Sequence, residues 1–242
     1  MKGERVAACV TNGQDSPTLT RRNEVPLFML LNEFLSKIER IETGRDTLTV
    51  GIDGTSASGK STLADKFKEL DDRITIVHMD DFYHPSEEQK NINPEAIGAG
   101  FDWERLCTQV LSPLSHNSFG RYQRYDWDTN KMAEWHDVPT RGIVIIEGCY
   151  SIRNELRDFY DVRIWIENPK SVSHERIIQR ERDGAGSSYL WETVYRPAEE
   201  KYLDVQRPWE HADIVIDGSG HTSDISMHEV NVVYESDRWL NL

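Results

Sequence analysis

From Pro26 onward, apolar residues recur at helical spacing: Leu27, Leu30, Leu31, Phe34, Leu35, Ile38 and Ile41, with a stop near Gly44. The pattern predicts one amphipathic helix that covers a core, with residues 23–46 as an N-terminal helical extension. After Gly44 the period changes. Short, nearly continuous apolar runs at residues 47–53, 74–79, 142–147, 162–167 and 213–217 predict buried strands. Helical spacing at residues 61–70, near 102–111 and at 172–182 predicts helices between them. Such alternation predicts an α/β domain over residues 47–218, a parallel sheet flanked by helices on both faces. Residues 1–22 are small and polar, with turn signals at Asn12-Gly13 and Ser16-Pro17, and predict a loose arm. Residues 219–242 predict an extension packed on the same domain, with one more strand candidate at 230–234.

Charge narrows the partners. The 242 residues hold 28 Lys and Arg against 42 Asp and Glu, a formal net charge of −14. That balance opposes the counterion release that drives nucleic-acid binding and is repelled by anionic lipid. Neither nucleic acid nor a membrane is an expected partner, and an anionic ligand must meet locally concentrated cations. The longest apolar runs, at residues 6–10 and 27–31, fall far short of the roughly 20 residues that span a bilayer. The apolar run after Met1-Lys2-Gly3-Glu4-Arg5 ends at Thr11-Asn12, short of the apolar core of a secretory signal, so none is expected, and Cys9, Cys107 and Cys149 are widely spaced. A cytoplasmic location with reduced thiols is expected.

One segment carries specific chemistry. The first predicted strand runs into Gly54-Thr55-Ser56-Ala57-Ser58-Gly59-Lys60-Ser61, followed by Thr62, which satisfies G-x-x-x-x-G-K-[ST]. Glycines at both ends let such a loop fold around phosphate oxygens with its amides inward, and the helix that follows adds partial positive charge. Lys60 is placed to hold the β and γ phosphates and the Ser61 hydroxyl to bind Mg²⁺. A strand before and a helix after are what the P-loop NTPase arrangement requires. The Asn130-Lys131 pair is followed by Met132-Ala133, so the Asn-Lys-x-Asp of guanine recognition is missing.

In open parallel sheets, ligands gather at the carboxyl ends of strands. The run 74–77 leads into His78-Met79-Asp80-Asp81-Phe82-Tyr83, where an Asp can accept the proton of an attacking hydroxyl. The run 143–146 ends in Glu147-Gly148, an acid within reach of Mg²⁺ or its water. Arg176 and Arg180 share a helical face, with Arg182 off that face beside Asp183-Gly184-Ala185-Gly186; guanidinium groups there would stabilise a phosphoryl group in flight. Aromatics cluster between Asp80 and Glu147, among them Tyr83, Phe101, Trp103, Tyr125 and Trp127, and can wall a sugar or ring pocket, with Asp102 and Asp126 accepting hydroxyl hydrogen bonds.

These motifs together resemble the uridine kinase and phosphoribulokinase family of P-loop kinases. Residues 54–61 are similar to its phosphate loop, Met79-Asp80-Asp81-Phe82-Tyr83 to its Asp-Ser-Phe-Tyr segment, and Phe101-Asp102-Trp103 to its Phe-Asp acceptor segment. Tyr125-Asp126-Trp127 resembles its Tyr-Asp-aromatic segment, Ile146-Glu147-Gly148 its Glu-Gly strand end, and Arg180-Glu181-Arg182-Asp183 its lid. Arg196-Pro197-Ala198-Glu199-Glu200 to Tyr202, Pro208 and Ala212-Asp213-Ile214-Val215-Ile216 resemble the closing segment of uridine kinases. The resemblance implies an ATP- and Mg²⁺-dependent phosphotransferase acting on a hydroxyl of a nucleoside or related polyol. It assigns Asp80 as base, Arg180 and Arg182 as lid cations, and Tyr83, Asp102, Tyr125 and Arg176 as acceptor contacts; preference for ATP over GTP rests on it alone. Where uridine kinases carry a His and a Ser-Arg pair, this chain reads Asp128-Thr129-Asn130-Lys131-Met132. Other acceptors (pantothenate, a sugar phosphate, a specialised metabolite), a non-catalytic ATP sensor and a homo-oligomer therefore stay open.

Overall fold

The computed structural model describes residues 27–93, 95–220 and 229–242. Seven strands form the main sheet: β1 (Leu27–Leu30), β2 (Thr47–Gly54), β3 (Thr75–His78), β6 (Gly142–Glu147), β7 (Val162–Glu167), β8 (Ile214–Asp217) and β9 (Glu229–Glu235). Their spatial order is β1-β9-β8-β7-β2-β6-β3. The five strands predicted as buried runs are parallel, whereas β9 and β1 close one edge antiparallel. Between β3 and β6 stands a separate antiparallel hairpin, β4 (Gly120–Asp126) and β5 (Lys131–Val138), which the apolar pattern did not predict.

Side chains alternate across the sheet as the two-residue strand period demands. On one face Val50, Ile52, Ile143, Ile145, Ile164 and Ile214 pack against α1 (Leu31–Glu39) and α2 (Lys60–Leu70). On the other, Val144, Ile146, Trp165 and Val215 pack with Leu106, Val110 and Leu114 of the helical stretch 103–115, and with Tyr202 of α4 (Arg196–Gln206). The remaining long helix, α3 (Lys170–Arg182), follows β7. The sheet is thus covered on both faces, as predicted.

The N-terminal extension differs from expectation. Leu27–Leu30 is a strand, and the helix begins only at Leu31. The cause is a partner remote in sequence: β1 pairs with β9, Leu27 opposite Val232 and Leu30 opposite Glu229. Ladder hydrogen bonds to a distant strand override the helical period of four residues. α1 retains the predicted face, with Leu31, Phe34, Leu35 and Ile38 buried. The expected arm at 1–22 and residues 23–26 lie outside the described residues. Among the described residues no helix is long and apolar enough to cross a membrane.

Phe34 is fully buried, with edge-on ring contacts to Phe67 at 5.3 Å and Trp239 at 5.2 Å. It joins α1, α2 and the C-terminal turn Asp237–Leu240. Phe34→Ala should cost about 3–5 kcal/mol through lost contacts and the cavity left behind. Urea denaturation checks this; a midpoint matching the wild type would show that α1 is not part of the cooperative core.

Candidate active site

β2 lies at the centre of the sheet, and the phosphate loop leaves its carboxyl end. Gly54 is required by crowding: an added Cβ would stand 2.6 Å from the Ile166 carbonyl oxygen and 2.6 Å from Ser58 Oγ. Lys60 Nζ donates to the carbonyl oxygens of Gly54 at 3.1 Å and Thr55 at 2.8 Å, which folds the side chain back along the loop. The first intrahelical bond of α2 runs from Leu63 N to Gly59 O at 3.0 Å. The amides of Lys60, Ser61 and Thr62 precede it, so they are available to an anion at the positive end of the helix dipole. Burial pulls the Lys60 pKa down, but Cys149 and the carboxylates of Glu147, Asp53 and Glu199 overcome it and leave the pKa raised. The ammonium is a fixed positive charge.

The strand order brings two acids to this loop. β6 lies between β2 and β3, so Glu147 at its end and Asp80 just beyond β3 face the same recess. Gly148, with φ +143°, permits the approach: an added Cβ would stand 2.4 Å from Met79 Cβ. The Ser61 hydroxyl donates to both oxygens of Glu147 at 3.1 Å. His78 Nδ1 lies 2.6 Å from Glu147 Oε1, and that hydrogen bond raises the His78 pKa against the effect of burial. Asp80 keeps an exposed surface at the mouth of the recess. Protein packed around its other sides, and the charge of Glu147, nevertheless raise its pKa, opposed by Lys60 and His78.

Among the described residues no cluster of three His, Cys, Asp or Glu side chains could hold a metal by itself. Mg²⁺ in phosphoryl-transfer sites does not need one, because it takes few protein ligands and completes its shell with water and phosphate oxygens. A hydroxyl and a carboxylate in contact, Ser61 and Glu147, are hard oxygen donors that fit this ion.

The recess is a cavity of about 270 Å³ lined by residues 56–62, Asp80, Glu147, Cys149, Arg180, Glu199 and an aromatic wall. Tyr83 stands at the wall's centre, 4.4 Å from Trp127 and 5.2 Å from Phe101 between ring centroids, and Phe101 lies 5.3 Å from Tyr150. Burial pushes the Tyr83 hydroxyl up to about 12, so it stays a hydrogen-bond donor.

The sequence profile of the Phosphoribulokinase / Uridine kinase family matches residues 49–226. The chain belongs to this family. A uridine kinase of Clostridium botulinum (strain Okra / Type B1) is 28% identical over 188 residues, covering 71% of this chain and 88% of the relative. The solved structure of a possible uridine kinase from Bacillus stearothermophilus superposes with TM-score 0.58 at 26% identity, over 76% of this chain and 96% of that one. D-glycerate 3-kinase from Cryptococcus neoformans superposes with TM-score 0.54 at 15% identity, over 72% and 86%, and shares the fold.

Not every residue suggested by the uridine kinase and phosphoribulokinase pattern reaches the cavity. Lys60, Ser61, Asp80, Tyr83, Glu147 and Arg180 line it together. Gly54 and Thr55 lie behind it and supply carbonyls to Lys60. Arg182 is exposed and outside the cavity, because two residues along a helix turn a side chain by roughly 200° from Arg180. Asp102 caps the turn at Trp103–Leu106, accepting from Arg105 N at 2.9 Å and Arg105 Nε at 3.3 Å, and does not line the cavity. Tyr125 is buried behind Tyr83 and donates its hydroxyl to Asn130 Oδ1 at 2.9 Å. Arg176 donates to the carbonyls of Ala57 at 3.0 Å and Gly220 at 2.8 Å, so it braces the loop.

Two acids were given no role by sequence reasoning. Glu199 of α4 accepts from Ser56 N at 2.9 Å and from the Ser56 hydroxyl, and burial raises its pKa. Asp53 is fully buried and accepts from Gly54 N at 2.7 Å, Tyr150 N at 3.1 Å, Ile152 N at 3.0 Å and Tyr202 Oη at 2.8 Å. A charged residue inside the run 47–53 was the available signal for Asp53; Glu199 stood in the segment that resembles the closing part of uridine kinases, but nothing local gave it a role.

Burial raises the Asp53 pKa from 3.8 to about 6, against its hydrogen bonds and Lys60. Between these values the folded chain holds a proton that the unfolded chain has released. Stability from this group is therefore fully present below about pH 4 and is lost as pH rises through about 6. Asp53→Asn replaces one acceptor oxygen by a donor facing N–H or O–H groups and should cost about 1–3 kcal/mol. The penalty should be larger at pH 4 than at pH 7, measured by urea denaturation at both; a penalty that grows with pH would contradict the raised pKa.

Proposed function

We propose that the chain is an ATP- and Mg²⁺-dependent kinase that moves the γ-phosphoryl group to a hydroxyl of a nucleoside, uridine- or cytidine-like, or of a related small polyol. The observation that carries this reading is the convergence of Lys60, the Ser61–Glu147 pair, Asp80 and an aromatic wall on one cavity. Family membership and the uridine kinase relatives support the same reaction class.

The loop amides and Lys60 hold the β and γ phosphates, with charge-assisted hydrogen bonds that need no reorganisation during transfer. Mg²⁺, when bound, neutralises charge on the phosphate oxygens; Ser61 Oγ and Glu147 are the groups that would hold it. Asp80 takes the proton of the acceptor hydroxyl, and its raised pKa brings it closer to the operating pH of a general base. Arg180 reaches the same cavity from α3 and meets the charge that spreads over the transferring group. The wall from Tyr83 to Trp127 packs the acceptor ring and keeps water from competing with it.

Purified protein should release ADP from ATP·Mg²⁺ when uridine, cytidine or another small alcohol is added, and Lys60→Ala should abolish the response. Asp80→Asn should lower kcat by about 10²–10⁴-fold, while the ATP dissociation constant moves by less than about threefold. An Asp80→Asn protein that keeps most of its turnover would remove Asp80 from the base role. ATP binding without acceptor-stimulated ADP release across the panel would make the chain a nucleotide sensor instead.

A further inference from the structure

The cations that line the cavity among the described residues are Lys60 and Arg180. Both are matched by the triphosphate. Other nearby guanidinium groups are engaged elsewhere. Arg176 holds backbone carbonyls of Ala57 and Gly220. Arg105 is bound to Asp102 and to the carbonyls of Gln123 and Asp81. Arg196 lies over the Trp191 ring at 5.8 Å, and Arg153 pairs with Glu155. Among the acids, Glu147 is spoken for by Ser61 and His78. Asp80 and Glu199 therefore share Lys60 with the triphosphate, Asp80 with some help from His78, and neither has an ion-pair partner of its own among the described residues.

Resting on the kinase reading, we infer that Glu199 selects the acceptor by charge: the acceptor is a ring-bearing alcohol with no phosphate or carboxylate group. Every hydrogen bond of Glu199 among the described residues falls on Oε1, from Ser56 N, the Ser56 hydroxyl and Cys149 Sγ at 3.6 Å. Oε2 is left to accept from an acceptor hydroxyl. An anionic acceptor would instead bring its charge into a space already holding two acids and the triphosphate, with no further cation among the described lining residues to receive it. Like charges brought together in this way repel, and an anion stripped of water without a partner is disfavoured further. Glu199 is a specificity residue in this account and takes no part in the proton transfer.

The test uses ring-bearing acceptor pairs that differ in one anionic group and keep the primary hydroxyl: uridine and orotidine, cytidine and 5-carboxycytidine, uridine and uridine 3′-phosphate. Each is followed by ADP release and, separately, by calorimetric binding to the protein loaded with a non-hydrolysable ATP analogue and Mg²⁺. The uncharged member of any pair that binds should be favoured by at least about tenfold in both measurements. Glu199→Gln keeps an oxygen for Ser56 but removes the charge, and should shrink that ratio by about fivefold or more. Equal or better use of an anionic member, an unchanged ratio in Glu199→Gln, or no binding of any uncharged member at millimolar concentration overturns the inference. Preferential binding of uncharged members with no ADP release from any of them would overturn the kinase reading and leave the charge rule standing.

Discussion

A single buried carboxylate holds the site together. Asp53 gathers donors from three separate stretches: the mouth of the phosphate loop at Gly54, the turn after β6 at Tyr150 and Ile152, and Tyr202 of α4. Each of those stretches carries a functional group a few residues away, namely Lys60, Glu147 and Glu199. Fixing the distance between them needs a group that can accept several hydrogen bonds at once, and an ionised carboxylate has about four lone-pair positions to offer. Its burial is costly, which is why the pKa rises despite four donors. Lys60 lies close enough to lower that pKa, so the charge needed for phosphate also offsets part of the cost of the brace.

The chain as a whole is acidic, yet it builds a place for one of the most highly charged small ligands. It does so with few cations. Backbone amides at the start of α2, one lysine and one arginine supply the positive potential, and the acids around them are sorted by role: Glu147 beside the Ser61 hydroxyl, Asp80 at the mouth, Glu199 against Ser56. Local arrangement, not net charge, decides what an acidic surface can bind.

Much of this was legible from residue order. The parallel strands and the loop at residues 54–61 were visible because each is a local pattern: an apolar run of strand length, or glycines at fixed spacing. What escaped depends on contacts between remote segments. β1 reads as helix until β9 is known, and the β4–β5 hairpin has a polar face, so its strands never show a continuous apolar run. Asp102 and Tyr125 sit in motifs that suggest acceptor contacts, but the nearby Arg105 amide and Asn130 side chain claim their polar atoms. Arg182 shares a segment with Arg180 and not its direction. Glu199 stood in a segment the resemblance covers but had no role there, because its meaning comes from Ser56, far away along the chain.

The pairing of β1 with β9 also bears on how the molecule is assembled. Leu27 meets Val232, so one edge of the sheet joins segments from nearly opposite ends of the sequence. During synthesis β1, with its exposed Phe28, has no strand to pair with until residues 229–235 leave the ribosome. Closing so long a loop gives a contact of high sequence separation, which forms late and leaves an unpaired apolar edge in the interim. The parallel strands and phosphate loop can order first, with β1 and α1 docking as a final step, and nascent chains stalled before β9 would be those most exposed to misassociation.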